Sequence, residues 1–567
     1  NQNVCIRDDA YKYILRGGAS MKKKIILACT SFIVGVGLVG CTTGNNTEGT
    51  SGSDNDAQTV HLMEENEVAS MNTLVTQDTA SINAQVHVFE GLYNIDQDNE
   101  IVPAVAEDMP EISEDGKTYT IQLRDDANWS NGDPVTADDF VYAWRRLASP
   151  ENEANYMFLL DGTVANGSEI INDGMDPEKL GVKANNDKEL EIQLEKPVPY
   201  FTSLMTFPPF FPQNEEFVEE YGKEYGNDSE KILSNGAFTM ENWDQASMEW
   251  DLEKNPEYYD ADKVKLDKVN VDVIKETATA FNLFQSDELD QAEISGEHVK
   301  QNEDNPNLQK VPDSKVFYFK MNQKSKDKDT IFANEDVRRA VAYAIDKEGI
   351  VDDVLADGSS ASYGYIPKDF VKNPETDADF REDAGDLMKT NEDKAKEHWE
   401  KAKEEIGDEI TIELLTSDED AEKKVAETVQ YQLQEALPGL NLEVKSVPLN
   451  NSIDLTRNGE YELAMGRWGP DYQDPMTYLE SLRSPNNTNY ESDKYDDLLD
   501  KITNDYGNDP EKRWQAMIDA EKILVEEDAA IVPLYQQTRS LLVKDNLKGI
   551  YYPNFGASTI FKYATYN

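Results

Sequence analysis

All three cysteines of the chain, Cys5, Cys29 and Cys41, stand within its first 41 residues. No disulfide can therefore staple residues 42–567, and whatever that length folds into must be held by packing and hydrogen bonds alone. At roughly 100–200 residues per domain, a chain of 567 residues implies about three domains with an ample core. The acidic balance narrows the class further, because 54 Lys and Arg face 112 Asp and Glu, a formal charge of −58. Such a surface repels a phosphate backbone and excludes nucleic acid as a partner. With 27 Tyr and 7 Trp the chain is too aromatic for a disordered acidic tail, so a folded, acidic, extracytoplasmic protein is expected.

Cys41 closes a secretory pattern. Met21 opens Met-Lys-Lys-Lys, and an apolar run follows from Ile25 to Gly40, the basic and apolar regions of an export signal over 21–40. The run is shorter than a membrane span of about 20 residues. It ends Leu38-Val39-Gly40-Cys41, a match to a bacterial lipobox. The chain is therefore expected to be cut before Cys41 and lipidated on that thiol, an uncleaved anchor helix being the alternative. Residues 1–20 precede this complete signal and read as upstream sequence, with Met21 as the start. Gly35-Val-Gly-Leu-Val-Gly40 fits G-x-G-x-x-G, but inside a signal it has neither a strand before it nor a helix after it, and cradles no phosphate. Residues 41–58, rich in Gly, Ser, Thr and Asn, read as a flexible tether.

From Val60 onward strand and helix patterns alternate. Tyr119, Ile121 and Leu123, then Leu190, Ile192 and Leu194, follow the two-residue period of half-buried strands. Thr136-Ala-Asp-Asp139 has the spacing of a capping box and predicts a helix over 137–147 that buries Phe140, Val141, Trp144 and Leu147. Asn334 caps a second helical stripe of Val337, Ala340, Val341, Ala344 and Ile345. Between 409 and 475 the pattern is β-α-β: Ile410, Ile412 and Leu414 alternate, Val425, Val429, Leu433 and Leu437 form a helical stripe closed by Pro438-Gly439, and Leu442, Val444 and Val447 suggest the second strand. A short helix near 450–457 and a third strand at Tyr461–Gly466 lead to the loop Arg467-Trp-Gly-Pro-Asp-Tyr-Gln-Asp-Pro475. Ligands of open α/β sheets bind at the carboxyl ends of strands, which makes this loop the natural place for a site. A last helix starts at Pro510 and turns Trp514, Met517, Ile518 and Leu524 inward.

Catalytic chemistry leaves little trace. The four histidines, His61, His87, His298 and His398, form no metal motif and are expected on surfaces or helix faces. Neither a nucleophile elbow nor a P-loop occurs, and with 112 acidic residues a carboxylate pair at any chosen spacing carries no weight. Asp96-Gln-Asp98 and Asp260-Ala-Asp262 lack the Gly and Glu of a calcium loop and read as solvated turns. Neither a cofactor nor a metal is expected. Recognition remains: Trp468, Asp471 and Tyr472 at a strand end either form a pocket for an ammonium group or an ordinary capped turn.

Several segments together resemble the family 5 extracellular solute-binding proteins, specifically the oligopeptide-binding lipoproteins of ABC importers. They are Phe89-Glu-Gly-Leu92, Ala106-Glu-Asp-Met-Pro110, Asp115-Gly-Lys-Thr-Tyr-Thr120, Leu123-Arg124, Trp129 to Trp144, Asn235-Gly-Ala-Phe238, Asn334 to Ala340 with Ala344-Ile-Asp346, and Trp468-Gly-Pro-Asp-Tyr472. The resemblance implies an α/β, type II periplasmic-binding-protein-like fold of two lobes that close about a hinge, with an extra domain. Lobe I would comprise 59–92, 233–321 and 536–567, the extra domain 93–232 and lobe II 322–535. It implies that Asp471 holds a peptide's α-ammonium, that Trp468, Gly469 and Tyr472 of the motif and Tyr156 are neighbouring contacts, and that the stretch Gln77 to Thr79 pairs its backbone with the peptide. A basic residue that some relatives use for the peptide carboxylate has no counterpart in register, the nearest being Arg467. The function implied is a monomeric receptor with no catalysis of its own, anchored through Cys41 at the outer face of the membrane, capturing oligopeptides for an ABC permease. A pheromone receptor of the same fold is one alternative, and a secreted acidic hydrolase is another from a different class.

Overall fold

The computed structural model describes residues 58–326 and 328–567. The signal, lipobox and tether readings, Cys41 included, lie outside the described residues.

Three sheets carry the architecture. In the first, Thr59–Glu64 runs parallel to Lys268–Val273, which pairs antiparallel with Glu249–Lys254 and through it with Phe238–Glu241. The alternating apolar residues of these strands, Val60, Leu62, Val269, Leu252, Trp250 and Phe238, meet Leu541 and Phe561 in one buried core. The second sheet is antiparallel and is drawn from residues 111–193. Thr118–Gln122 pairs with Glu189–Gln193, so that Tyr119, Ile121, Leu190 and Ile192 turn inward together, with Glu111–Ile112 and Val182–Asn186 at the edges. Helix Ala137–Ala148 packs on this sheet. Its start is fixed by the Asp139 carboxylate, which accepts the Thr136 backbone N–H at 2.8 Å. Its Trp144 donates to the Phe210 carbonyl at 2.9 Å while Phe201 and Phe210 meet the ring edge-on.

The third and largest sheet runs Gln291–Ile294, Ile531–Val543, Leu308–Met321, Leu463–Trp468, Ile410–Ser417 and Leu440–Val447 in order, with Ser360–Ala361 beside Ile531–Val543. The expected crossover is present. Ile410–Ser417 and Leu440–Val447 pair parallel, residue for residue, with helix Asp420–Ala436 between them. The turn after that helix passes through Gly439, whose φ is +94° and whose hypothetical Cβ would lie 1.9 Å from the Asp408 carbonyl oxygen, so only glycine fits the reversal.

Two strands of this sheet are far longer than the usual five or six residues: Leu308–Met321 has 14 and Ile531–Val543 has 13. At one end residues 308–312 pair with 538–542 beside Gln291–Ile294, and at the other 316–321 pair with Leu463–Trp468. The ladder between them shifts register from Pro312 to Val316, a break that leaves the two ends coupled only through a bulge.

Three expectations are adjusted. The strand expected at Tyr461–Gly466 instead spans Leu463–Trp468, because its ladder with Val316–Met321 continues to the Trp468 and Val316 pair. Arg467 and Trp468 are therefore strand residues, and the loop starts at Gly469. The last helix runs Pro510–Lys522 and continues in wider turns to Glu527. His87 sits on a helix face, that of Thr79–Val88, but is fully buried. Its Nδ1 lies 2.6 Å from the Asn83 carbonyl and its Nε2 accepts the Phe561 N–H at 3.0 Å, which defines one neutral tautomer; burial lowers its pKa to about 3.

Candidate functional site

A cavity of about 300 Å³ is lined by residues from several distant parts of the chain. Its walls come from the Gln77 to Thr79 stretch that starts helix Thr79–Val88, from the Tyr156 segment, from the ends of Leu308–Met321 and Leu463–Trp468, from helix Leu449–Arg457 and from residues 553–558. Seven of the residues named from the sequence line it: Gln77, Thr79, Tyr156, Arg467, Trp468, Gly469 and Asp471. Tyr472 does not. Its ring is buried against Tyr200, the planes 13° apart at 4.4 Å, so it anchors the loop instead of facing the cavity.

The loop holds two aspartates, and the structure uses them differently. Asp474 accepts both guanidinium nitrogens of Arg513 at 2.8 Å and the Met476 backbone N–H at 3.0 Å, a complete set of partners. Asp471 has no cation among the described residues. Its backbone N–H is held by Thr477 Oγ1 at 3.1 Å, and its carboxylate receives only the Tyr156 hydroxyl, at 3.5 Å. Only 7% of its surface is exposed, and this burial pushes its pKa up to about 8. A buried acid with empty acceptor positions facing a cavity is a receptor for a cation or a strong donor.

Beside it, Trp468 Nε1 is buried with no acceptor among the described residues. The Tyr156 ring is set edge-on against Phe207, 4.8 Å between centroids, which fixes the direction of its hydroxyl. On the opposite wall Asp78 is extended, with φ −136° and ψ 155°, and its carboxylate caps the helix through the Ser81 N–H at 2.8 Å. Gln77 accepts from Arg457 Nη1 at 2.8 Å through its side-chain oxygen.

Arg467 is not free for an anionic ligand. Its two terminal nitrogens fork onto Glu419 at 2.6 and 2.8 Å, and one also reaches Glu422 at 3.0 Å. All three groups are largely buried, so the arginine offsets two carboxylates and has no charge to spare. Glu422, the less well paired of the two, is raised to about 7 by its burial. Asn66 Nδ2 adds a bond to Glu419 at 2.7 Å, linking the Thr59–Glu64 side of the molecule to the large sheet.

Three basic residues of the cavity wall, Lys315, Lys320 and Arg457, escaped the sequence reading. Lys320 interrupts the apolar run Val316-Phe-Tyr-Phe-Lys-Met321, a visible signal, and Arg457 ends the helix Leu449–Arg457. Among the described residues there is no group of three or more His, Cys, Asp or Glu able to hold a metal ion, and no helix long and apolar enough to cross a membrane.

Residues 100–490 match the family model described as bacterial extracellular solute-binding proteins, family 5, middle region. The chain belongs to that family. Among curated relatives of this solute-binding protein, the dipeptide-binding protein DppE of Bacillus subtilis is 34% identical over 90% of this chain and 94% of its own. Among solved structures, Listeria monocytogenes OppA bound to peptide superposes with a TM-score of 0.86 at 38% identity, covering 90% of this chain and 99% of that one. The pheromone receptor PrgZ gives a TM-score of 0.86 at 34% identity, covering 90% and 100%. The type II, two-lobed α/β architecture of the family 5 binding proteins is thus the architecture of this one.

Proposed function

We propose that this chain is an extracytoplasmic receptor that closes on oligopeptides, holds the peptide's α-ammonium on Asp471 and hands the peptide intact to an ABC permease. The observation that carries the reading is the Asp471 carboxylate, buried in a cavity wall with no cation beside it among the described residues. An ammonium group satisfies it with charge-assisted hydrogen bonds, and the adjacent Trp468 Nε1 supplies a donor for a peptide carbonyl. The extended Asp78 backbone offers a surface for main-chain pairing, which gives affinity without reading side chains. Closure bends the two long strands at their register shift, so the lobes divide near Pro312–Val316 on the first strand, short of the expected boundary at 321, and opposite it near Gln536 on the second. Cys41, lipidated after removal of the signal, tethers the monomer to the membrane through 42–58. The chain performs no catalysis.

Denaturing the purified segment 42–567 and weighing what it releases tests this reading. Mixed short peptides with free amino termini support a broad oligopeptide receptor. One dominant sequence supports the pheromone reading, which the likeness to PrgZ favours. A bound sugar or haem contradicts both, and a peptide that is cleaved on incubation contradicts the absence of catalysis.

A further inference from the structure

A second cavity, of about 40 Å³, adjoins the first and shares Thr79, Lys315, Arg467 and Ser558 with it. Most of its charged groups are engaged. Glu64 accepts Asn83 Nδ2 at 2.9 Å. Glu293 accepts Arg539 Nε at 3.0 Å and Nη2 at 2.9 Å, and Arg539 Nη1 donates to the Ser558 carbonyl at 2.8 Å. Arg467 is taken by Glu419 and Glu422, and Lys315 leans toward Asp313 at 3.8 Å. Glu65 is the exception, its carboxylate receiving no hydrogen bond and no ion pair among the described residues. Burial, with Glu293 and Glu419 close by, holds its pKa well above the ordinary glutamate value despite Arg467 and Arg539. The negative field that keeps Glu65 protonated is one that an arriving cation neutralises.

A neighbouring amide points to the same kind of occupant. Asn66 is 8% exposed, and its Nδ2 donates to Glu419 at 2.7 Å, which orients the amide and leaves its Oδ1 buried without a donor among the described residues. Gln537, on another wall of this cavity, also buries an Oε1 that no donor reaches among the described residues. Acceptors from Glu65, Asn66 and Gln537 therefore line a space with room for little more than a water-sized group. The group that brings several N–H donors and a positive charge in about that volume is an ammonium.

We propose that this second cavity is a subsite for one lysine side chain of the bound peptide, its stem entering from the main cavity and its ammonium held by Glu65 and the Asn66 carbonyl. This rests on the reading of the main cavity as the seat of a peptide. The consequence is selectivity at a single position. Main-chain pairing and an amino-terminal anchor grip any peptide, whereas an unpaired acid in a small chamber favours the peptide that brings its counterion.

Calorimetry on ligand-free protein tests it with tetra-alanine in which one residue is replaced by lysine, each position in turn, and with the matching norleucine series, which keeps the stem and lacks the ammonium. At one position lysine is expected to bind about tenfold more tightly than norleucine, or better. The ratio should persist in about 0.5 M salt, where long-range attraction to a chain of charge −58 is screened. In Glu65→Gln, which matches the protonated acid in shape, the norleucine peptides bind as before and the ratio falls to about one. Lysine and norleucine binding alike at every position overturns the proposal, as does a ratio that high salt abolishes or that Glu65→Gln leaves unchanged. A crystal structure of the best lysine peptide bound to the unaltered protein decides independently of any variant: its Nζ within hydrogen-bond distance of Glu65 is expected, and an Nζ elsewhere, with water alone in the second cavity, overturns the proposal. Acetylating the amino termini separates the two readings, because binding unchanged by acetylation removes the Asp471 assignment while the lysine-to-norleucine ratio still decides the role of Glu65. Binding of no peptide in either series overturns both.

Discussion

The Tyr156 hydroxyl stands 3.5 Å from Asp471 Oδ1 and is the one donor that reaches this carboxylate among the described residues. The two residues lie 315 positions apart in the chain, so only the folded structure brings them together. One hydroxyl at the outer limit of hydrogen bonding does not compensate a buried carboxylate. Asp471 thus weakens the unliganded protein in exchange for a cation site.

That trade predicts opposite effects on stability and binding. The Asp471 pKa is about 8 in the folded chain against about 3.9 unfolded, so its favourable contribution is complete below the unfolded value and is lost as pH rises through 8. Asp471→Asn should raise the stability of the ligand-free protein by about 1–3 kcal/mol near pH 8 and by little near pH 4. Thermal melts at the two pH values check this, and a variant less stable at pH 8 contradicts it.

Affinity should follow the same titration. Binding an α-ammonium requires the ionised form, so peptide binding releases a proton from Asp471 below pH 8, and affinity climbs by up to about tenfold per pH unit between about 5 and 8. Above 8 it declines as the peptide amine, with a pKa near 8, loses its proton. Calorimetry in buffers of different ionisation enthalpy measures the proton release directly. A flat profile with no proton released means that Asp471 is already ionised or is not the partner.

Arg467 is a structural residue in this account. Arg467→Met leaves Glu419 and Glu422 buried without their cation and should cost about 3–5 kcal/mol in urea unfolding. A variant as stable as the parent, with binding alone impaired, returns Arg467 to the list of ligand contacts.

Trp468 Nε1 should gain its acceptor only when a ligand is present. Trp468→Phe keeps most of the ring and removes the donor, so affinity should fall by about 1 kcal/mol and the ligand-induced change in tryptophan fluorescence should shrink. Unchanged affinity means that the indole serves as a wall and not as a donor.

Much of the architecture was legible because the periods were clean. Tyr119 and Ile121, the Thr136 capping box, and the strand, helix and strand over 410–447 all occupy the elements their spacing predicts. The loop carrying Asp471 was legible as well, since an aspartate between Trp468-Gly-Pro and Tyr472 follows a strand. What the sequence could not show is which acid is paired. Asp471 and Asp474 look alike three residues apart, and only the return of helix Pro510–Lys522, which brings Arg513 to Asp474, leaves Asp471 alone. The same holds for the basic groups. Arg467 adjoins the motif yet is consumed by Glu419 and Glu422 from another element, whereas Lys320, far away in sequence, lines the cavity through strand pairing. Tyr472 was misplaced for a related reason: in a strand-end loop the alternation of inward and outward side chains is broken, and Tyr200 captures the ring.

The most direct measurement compares tetra-alanine with N-acetyl-tetra-alanine in titrations against the unaltered protein and Asp471→Ala near pH 7. The account predicts that acetylation and the substitution each weaken binding by about 2–5 kcal/mol, and that the substituted protein no longer distinguishes the two peptides. Equal affinity of the unaltered protein for both peptides would contradict the central claim, that a lone buried carboxylate at Asp471 is there to hold an amino terminus.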